Sequence, residues 1–75
     1  MSEADKILQD IGYEKIFENI VKIGYEKEGQ FFDKEIVFNK IDKNVVVELG
    51  TGESAPINIQ ELKAINKKCE ELNWL

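Results

Sequence analysis

The chain has 75 residues, of which 43% are hydrophobic and 33% are charged, so one folded domain over residues 1–75 is expected. Its fifteen aspartates and glutamates outnumber ten lysines, which gives a net charge of −5, and the chain contains no arginine or histidine. An acidic chain without guanidinium groups repels nucleic acid and lacks the usual readers of phosphates and guanine edges, so nucleic-acid binding is not expected. A single cysteine and no histidine argue against a disulfide framework and against a zinc site.

The N-terminal segment lacks the basic region and the apolar run of a secretory signal peptide. No apolar stretch approaches the roughly 20 residues that are needed to span a bilayer. These two observations predict a cytoplasmic protein that has no association with a membrane.

A first helix is predicted over residues 3–11. Ser2 and Asp5 form an N-terminal capping pattern, and the apolar residues that follow share one helical face: Ala4, Ile7, Leu8 and Ile11. Gly12 is a natural end for this helix, because glycine readily adopts the positive φ of a C′ residue.

The next segment fits two patterns. Helical spacing connects five apolar residues, Tyr13, Ile16, Phe17, Ile20 and Val21. From Val21 to Tyr25, however, apolar residues alternate with polar or small ones, and the β-branched residues favour a strand. The sequence therefore predicts an extended piece at 13–17 and a strand at 20–27, with a helix over 13–22 as the open alternative.

Two further strands are predicted after a turn at 28–30, one over 31–41 and one over 45–49. The hairpin turn between them is expected at 42–44, where Asn44 can adopt a left-handed conformation. The sequence leaves two possibilities for the register of this hairpin.

A three-residue turn in this hairpin pairs Ile41 with Val45, whereas a two-residue turn at 42–43 pairs Phe38 with Val47. A slip of one residue moves every side chain to the other face of the sheet, so the two registers predict different cores.

The C-terminal segment has the clearest helical pattern. Asn58 and Glu61 form a capping box, Ile57 and Leu62 are placed for a hydrophobic staple, and Asn73 suits the left-handed C′ position. A wide apolar stripe follows, and such a stripe is typical of a helix that covers a sheet: Ile59, Leu62, Ile65, Cys69, Leu72 and Trp74. On this basis Leu62→Asp is predicted to unfold the domain.

These elements predict an α+β domain with an N-terminal helix, an antiparallel meander of three or four strands, and a C-terminal helix packed on the sheet. Alternate positions along a strand point to opposite faces of the sheet, and both sets of positions contain apolar side chains. Some apolar side chains must therefore lie on the second face. Partial cover by the N-terminal helix is the favoured interpretation, and cover by a partner or no cover are the alternatives. The candidates for a protein-contact patch are Ile20, Val37, Val46 and Phe31 with its neighbour Phe32.

No catalytic constellation can be recognised. Cys69 is interpreted as a core residue, and without histidine it cannot form a Cys–His nucleophile. The loop at 50–54, Gly-Thr-Gly-Glu-Ser, lacks the Gly-Lys-Ser/Thr ending of a phosphate loop. The carboxylates of the loops and strands lack calcium-loop spacing and are interpreted as solvated charge: Asp33, Glu35, Asp42, Glu48 and Glu53. No enzymatic activity, metal or cofactor is expected.

Two smaller features have simple interpretations. Ile-Gly-Tyr-Glu-Lys occurs at 11–15 and again at 23–27, a period too short for stacked repeats, and is interpreted as coincidence. Lys63, Lys67 and Lys68 form a small basic patch on the C-terminal helix. A solvated helix face is the simpler interpretation of this patch, and a phosphate contact is the alternative.

Three segments carry a resemblance to a known group of proteins: Leu-Gln-Asp-Ile-Gly-Tyr-Glu-Lys at 8–15, Ile-Val-Phe at 36–38, and Glu-Leu-Lys-Ala-Ile-Asn-Lys-Lys-Cys-Glu-Glu-Leu-Asn-Trp at 61–74. With them the chain resembles small proteins that are encoded in phages and prophages of low-GC Gram-positive bacteria and generally have no assigned function. The lysine-rich, arginine-free composition agrees with such a source. The resemblance implies a genomic context and assigns no functional residue.

The sequence thus predicts a phage or prophage accessory protein that is not an enzyme and acts by protein–protein contact, with an unidentified protein partner or as a homodimer. Two other hypotheses stay open. One is a nucleic-acid-associated regulator that uses Lys63, Lys67 and Lys68, and the other is an acidic inhibitor that mimics a nucleic-acid surface.

Overall fold

The computed structural model describes residues 2–75, which form two helices and one antiparallel sheet of four strands. The strands follow one another in the sheet in chain order, so the sheet is a meander. The elements are α1 (Glu3–Asp10), β1 (Glu14–Glu18), β2 (Lys22–Lys27), β3 (Lys34–Asn39), β4 (Asn44–Leu49) and α2 (Ile59–Glu71). The predicted α+β fold is confirmed, with four strands.

Local contacts define the ends of both helices. The Ser2 side chain accepts a hydrogen bond from an amide of the first turn of α1, and Gly12 follows that helix with a φ of 102°. At α2, the Asn58 side chain accepts from the Glu61 amide at 2.8 Å, and the Glu61 side chain accepts from the Asn58 amide at 3.0 Å. Asn73 follows α2 with a φ of 62°. These predicted caps are confirmed.

The alternative helix over 13–22 is wrong, because this segment forms β1 and the turn that leads into β2. A β-bulge between Lys15 and Phe17 leaves Ile16 without a partner of its own in β2. Tyr13 and Phe17 are four residues apart, as on one face of a helix, but the residue inserted by the bulge places them on opposite faces of the sheet.

The third strand is shorter than the predicted 31–41, because residues 31–33 belong to the loop that connects β2 to β3. Phe31 is 82% exposed and Phe32 is 54% exposed in this loop. Ile41 lies beyond the other end of β3, in the loop at 40–43.

Neither predicted hairpin register is present. The connection between β3 and β4 has four residues, so Phe38 is opposite Val45 and Asn39 is opposite Asn44. The left-handed residue of the loop is Lys43, with a φ of 55°, and not Asn44. Asn44 instead begins β4, where its side-chain oxygen accepts a hydrogen bond from Asn39 at 2.7 Å.

Both helices lie on the same face of the sheet and pack against each other. Ala4 of α1 and Ala64 of α2 are fully buried, and such small side chains allow two helices to approach closely. The expected cover of the second face by the N-terminal helix is therefore wrong. The core lies between the helices and one face of the sheet and consists of Leu8, Tyr13, Ile23, Tyr25, Ile36, Phe38, Val47, Ala64, Ile65 and Cys69.

The N-terminal half of the predicted α2 stripe does not face this core. Ile59 and Leu62 are 67% and 52% exposed, whereas Glu61 is buried. Successive residues of an α-helix are rotated by about 100°, so a helix that turns Glu61 inward turns Leu62 partly toward water. Only the later residues of the stripe, from Ile65 onward, pack as predicted.

Leu62→Asp is consequently expected to leave the protein folded, contrary to the prediction from the sequence. The free energy of unfolding should change by less than about 1 kcal/mol, because substitutions at exposed positions usually have small effects. Ile65→Ala on the same helix is the matched buried control and should lower this free energy by about 2–3 kcal/mol. Urea denaturation measures both, and an unfolded Leu62→Asp variant would contradict the exposed position.

Candidate interaction surface

The face of the sheet opposite the helices, here called the open face, is organised in rows by the strand register. One row, the acidic row, contains four glutamates that lie directly opposite one another across neighbouring strands: Glu14, Glu26, Glu35 and Glu48. Neighbouring strands are about 4.8 Å apart, so the acidic row extends over roughly 14 Å.

A second row, the apolar row, consists of Phe17, Val37 and Val46 and lies two residues from the acidic row along β2, β3 and β4, and three residues from it along the bulged β1. Gly24 of β2 lies between Phe17 and Val37, and a Cβ atom at Gly24 would overlap with the Phe17 ring. The ring therefore covers the glycine backbone, which explains why this strand position has no side chain. No helix lies over the apolar row, and Val46 remains 40% exposed.

The acidic row has no internal countercharge. Within residues 2–75, no ion pair includes Glu14, Glu26, Glu35 or Glu48. Partial burial, together with neighbouring carboxylates that include Asp33 and Glu35, raises the pKa of Glu26 above its usual value. Like charges that are directly opposite destabilise a sheet, so the open face concentrates negative charge at the expense of folding stability.

Glu35→Lys is expected to stabilise the protein by roughly 0.5–1 kcal/mol, because the new ammonium group would lie directly between Glu26 and Glu48. Glu35→Gln removes the repulsion without adding an attraction and should give a smaller increase. Thermal unfolding at low ionic strength measures both variants, and added salt should reduce the differences. A lower Tm for Glu35→Lys would show that the acidic row does not destabilise the sheet.

The structure brings together two of the residues predicted for a contact patch. Val37 and Val46 are directly opposite each other in the apolar row. Ile20, 88% exposed, lies in the turn between β1 and β2, and Phe31 lies in the loop at the opposite end of the sheet. Sequence reasoning missed Phe17 and the acidic row, because their alignment depends on the register of three strand pairs.

The three lysines predicted as a basic patch do not form one exposed face. Lys68 is buried and pairs with Asp5 at 3.2 Å, and Lys67 pairs with Glu3 at 3.3 Å. Lys63 is exposed. Lys68 is therefore not accessible to a phosphate, and the charge of Lys67 is partly neutralised by its partner.

On the opposite side of the sheet, a buried tyrosine directly before β1 connects this part of the chain to α2. The Tyr13 hydroxyl donates to the Glu61 carboxylate at 2.6 Å, and Lys34 Nζ donates to the same carboxylate at 2.7 Å. Burial raises the pKa of Glu61, but hydrogen bonds from Lys34, Tyr13 and the Asn58 amide outweigh this effect and hold the pKa below its usual value.

A second buried tyrosine joins the sheet to α1. The Tyr25 hydroxyl donates to Asp5, which also accepts from Lys68 at 3.2 Å and pairs with Lys15 at 3.2 Å. Burial raises the pKa of Asp5, but the hydrogen bonds from Tyr25, Lys68 and Lys15 outweigh it and lower the pKa below its usual value. These contacts connect α1, α2 and the sheet.

The two tyrosines belong to the two copies of Ile-Gly-Tyr-Glu-Lys, and the strand residues of the first copy pair antiparallel with the second copy in the first hairpin. Glu14 is opposite Glu26, and Lys15 is opposite Tyr25. Lys27 Nζ lies 5.9 Å from the centre of the Tyr13 ring. The interpretation of the repeat as coincidence did not foresee this pairing, in which each tyrosine is buried and donates to a carboxylate of a helix.

A cavity of about 340 Å³ opens between α1 and the first hairpin, lined by Asp5, Gln9, Tyr13, Glu14, Lys15 and Tyr25. Burial and the bonded carboxylates raise the pKa of both tyrosines, so both hydroxyls remain protonated near neutral pH. Burial also raises the pKa of Cys69, which disfavours a nucleophilic thiolate. Among residues 2–75, no group of three or more acidic or sulfur side chains could hold a metal ion.

Comparison of the chain with protein-family models, with curated protein sequences and with solved structures gave no match. In the part of the chain that the structure describes, none of the helices has the length and apolar character needed to cross a membrane.

Proposed function

We propose that the protein is a non-enzymatic interaction module that binds another protein through the open face of its sheet. The apolar row carries this proposal, because Phe17, Val37 and Val46 lie on a sheet face that neither helix covers. An antiparallel sheet with one face in water usually places polar residues there. A departure from this rule is typical of a functional surface.

The resemblance of the sequence to phage and prophage proteins supports an accessory role in the cytoplasm of a bacterial host. The absence of an enzymatic role is part of the same proposal and is supported by the chemistry of the cavity. The carboxylate and hydroxyl groups of Asp5, Tyr13 and Tyr25 in its wall are already paired with one another or with α2.

An acidic inhibitor that mimics nucleic acid is the second candidate, and the acidic row favours it. Four carboxylates in a line of roughly 14 Å present a regular negative surface, as a phosphate backbone does. A nucleic-acid-associated regulator has less support, because Lys68 is buried and Lys67 is paired.

Affinity capture with matched variants tests the proposal. The tagged protein, the Phe17→Thr/Val46→Thr variant and the Ile59→Thr/Leu62→Thr control are each incubated with lysate of a low-GC Gram-positive bacterium. Both double variants lose apolar side chains that no helix covers, but only the first pair lies on the open face. A partner retained by the wild type and the control, and lost from the open-face variant, is the expected result. Equal retention by all three would contradict the proposal, and release of the partner by duplex DNA would favour the mimic.

A further inference from the structure

The two rows of the open face differ sharply in chemistry although they are adjacent. Two residues along a strand span about 7 Å, so a molecule that covers the apolar row also meets the acidic row. Lys22, the one lysine that residues 2–75 place on the open face, lies on the far side of the apolar row with its Nζ 5.6 Å from the centre of the Phe17 ring. The four carboxylates are thus available to cations from outside the chain.

The positions of the other lysines strengthen this point. Five lysines form ion pairs with carboxylates that are not in the acidic row: Lys15, Lys34, Lys40, Lys67 and Lys68. The chain therefore contains enough basic residues to neutralise the row, but it places them elsewhere. A destabilising row of like charges is relieved when a partner supplies the opposite charge.

Charge also excludes two other occupants of the open face. A second copy of the chain would bring four more carboxylates and one lysine against the same surface, and nucleic acid would bring phosphates. Both would increase the repulsion that the acidic row already produces.

The size of the open face limits the partner to a segment. Four strands of five or six residues span roughly 19 Å by 20 Å, or about 400 Å². A standard interface buries about 800 Å² on each partner. The open face is therefore large enough for one helix or hairpin, and the complex is expected to be weak.

From these observations we infer that the open face binds a segment of another protein that carries lysine or arginine side chains beside apolar ones. The basic side chains pair with Glu26, Glu35 and Glu48 at the centre and edge of the acidic row, and the apolar side chains cover Val37 and Val46. The inference rests on the proposed function and adds to it the chemistry of the partner.

The test is a titration of the ¹⁵N-labelled full chain, followed by NMR, with a short amphipathic peptide built of lysine and leucine. We expect amide shifts in β2, β3 and β4 around the two rows, and none in the exposed face of α2. The Glu26→Gln/Glu35→Gln/Glu48→Gln variant should bind this peptide roughly tenfold more weakly, since each of the three surface charge pairs contributes a factor of about two. The Asp10→Asn/Asp42→Asn/Glu70→Gln variant removes the same charge elsewhere and should bind as the wild type does.

Three further probes separate the possible failures. A glutamate–leucine peptide of the same pattern, a random DNA duplex and the unlabelled protein itself should each leave the open face unperturbed. If the glutamate–leucine peptide binds to the open face, or if the protein self-associates through this face, the inference of a basic partner is wrong. The open face would still be the docking surface. Two results would overturn the inference: amide shifts by the lysine–leucine peptide that lie only outside the open face, and no amide shifts at millimolar peptide. The first of these results would also contradict the proposed function.

Discussion

Replacing Glu61 with alanine should lower the free energy of unfolding by about 3 kcal/mol, which is a large part of the stability of a domain this small. The Glu61 side chain is 2% exposed and accepts hydrogen bonds from the Tyr13 hydroxyl, Lys34 Nζ and the Asn58 amide. Alanine leaves a buried hydroxyl and a partly buried ammonium group without their acceptor and also removes half of the capping box. The loss is at the low end of the range for buried pairs, because Lys34 is 20% exposed and can reach water.

Guanidinium chloride denaturation followed by circular dichroism measures this loss. Glu70→Ala, on the exposed side of the same helix, is the matched control and should change the free energy of unfolding by less than about 0.5 kcal/mol. Tyr13→Phe removes one of the three donors and should lower the free energy of unfolding by an intermediate amount. In the double variant with Glu61→Ala the two losses should not add, because both substitutions break the same hydrogen bond. A Glu61→Ala protein as stable as the control would show that this buried carboxylate does not hold α2 on the sheet.

Acidification is expected to unfold the protein, with the loss of stability beginning as the pH falls below about 5. The folded-state pKa values of Asp5 and Glu61 lie below their usual values of 3.8 and 4.5, because hydrogen bonds from tyrosines and lysines outweigh the effect of burial. A carboxylate with a lowered pKa in the folded state stabilises that state above its usual pKa, and the contribution disappears as the pH falls through the lowered value. The sign is therefore a loss of stability toward acid.

Urea denaturation at a series of pH values between 7 and 2 tests this dependence. The Asp5→Asn and Glu61→Gln variants should each be less stable at pH 7 and should show a flatter profile, since they lack one titrating group. Glu26→Gln should steepen the profile, because the raised pKa of Glu26 makes its protonation favour the folded state. An unchanged slope in both the Asp5→Asn and the Glu61→Gln variants would contradict the assignment of the acid sensitivity to these carboxylates.

The buried carboxylate of Glu61 and the partly buried carboxylate of Asp5 also explain why the C-terminal helix has the orientation that it has. A helix oriented only by its apolar stripe would turn Ile59 and Leu62 toward the sheet. Instead the ion pairs of Glu61 with Lys34 and of Lys68 with Asp5 turn the polar edge of the stripe inward. Sequence periodicity does not reveal this orientation of the helix, because a buried glutamate and a buried lysine look like surface residues until their partners are known.

The candidate surface was predictable only in part. Alternation within the strands predicts that apolar side chains remain for a second face, and Val37 and Val46 are among the residues that it assigns to this face. The acidic row could not be foreseen, since Glu35 and Glu48 look like ordinary surface charge along the chain. Its four members come from four strands, and their alignment requires the bulge in β1 and the four-residue loop before β4.

Features that arise between residues close in the chain can be derived from the sequence. The ends of both helices, the left-handed Gly12 and Asn73, and the order of helix, strands and helix all follow from capping, glycine and asparagine conformations and side-chain alternation. Long-range packing, in contrast, sets the register of the hairpins, the placement of both helices on one face, and the inward turn of Glu61. These depend on contacts between residues far apart in the chain, such as Tyr13 with Glu61 and Asp5 with Tyr25, and their energies appear in no local pattern.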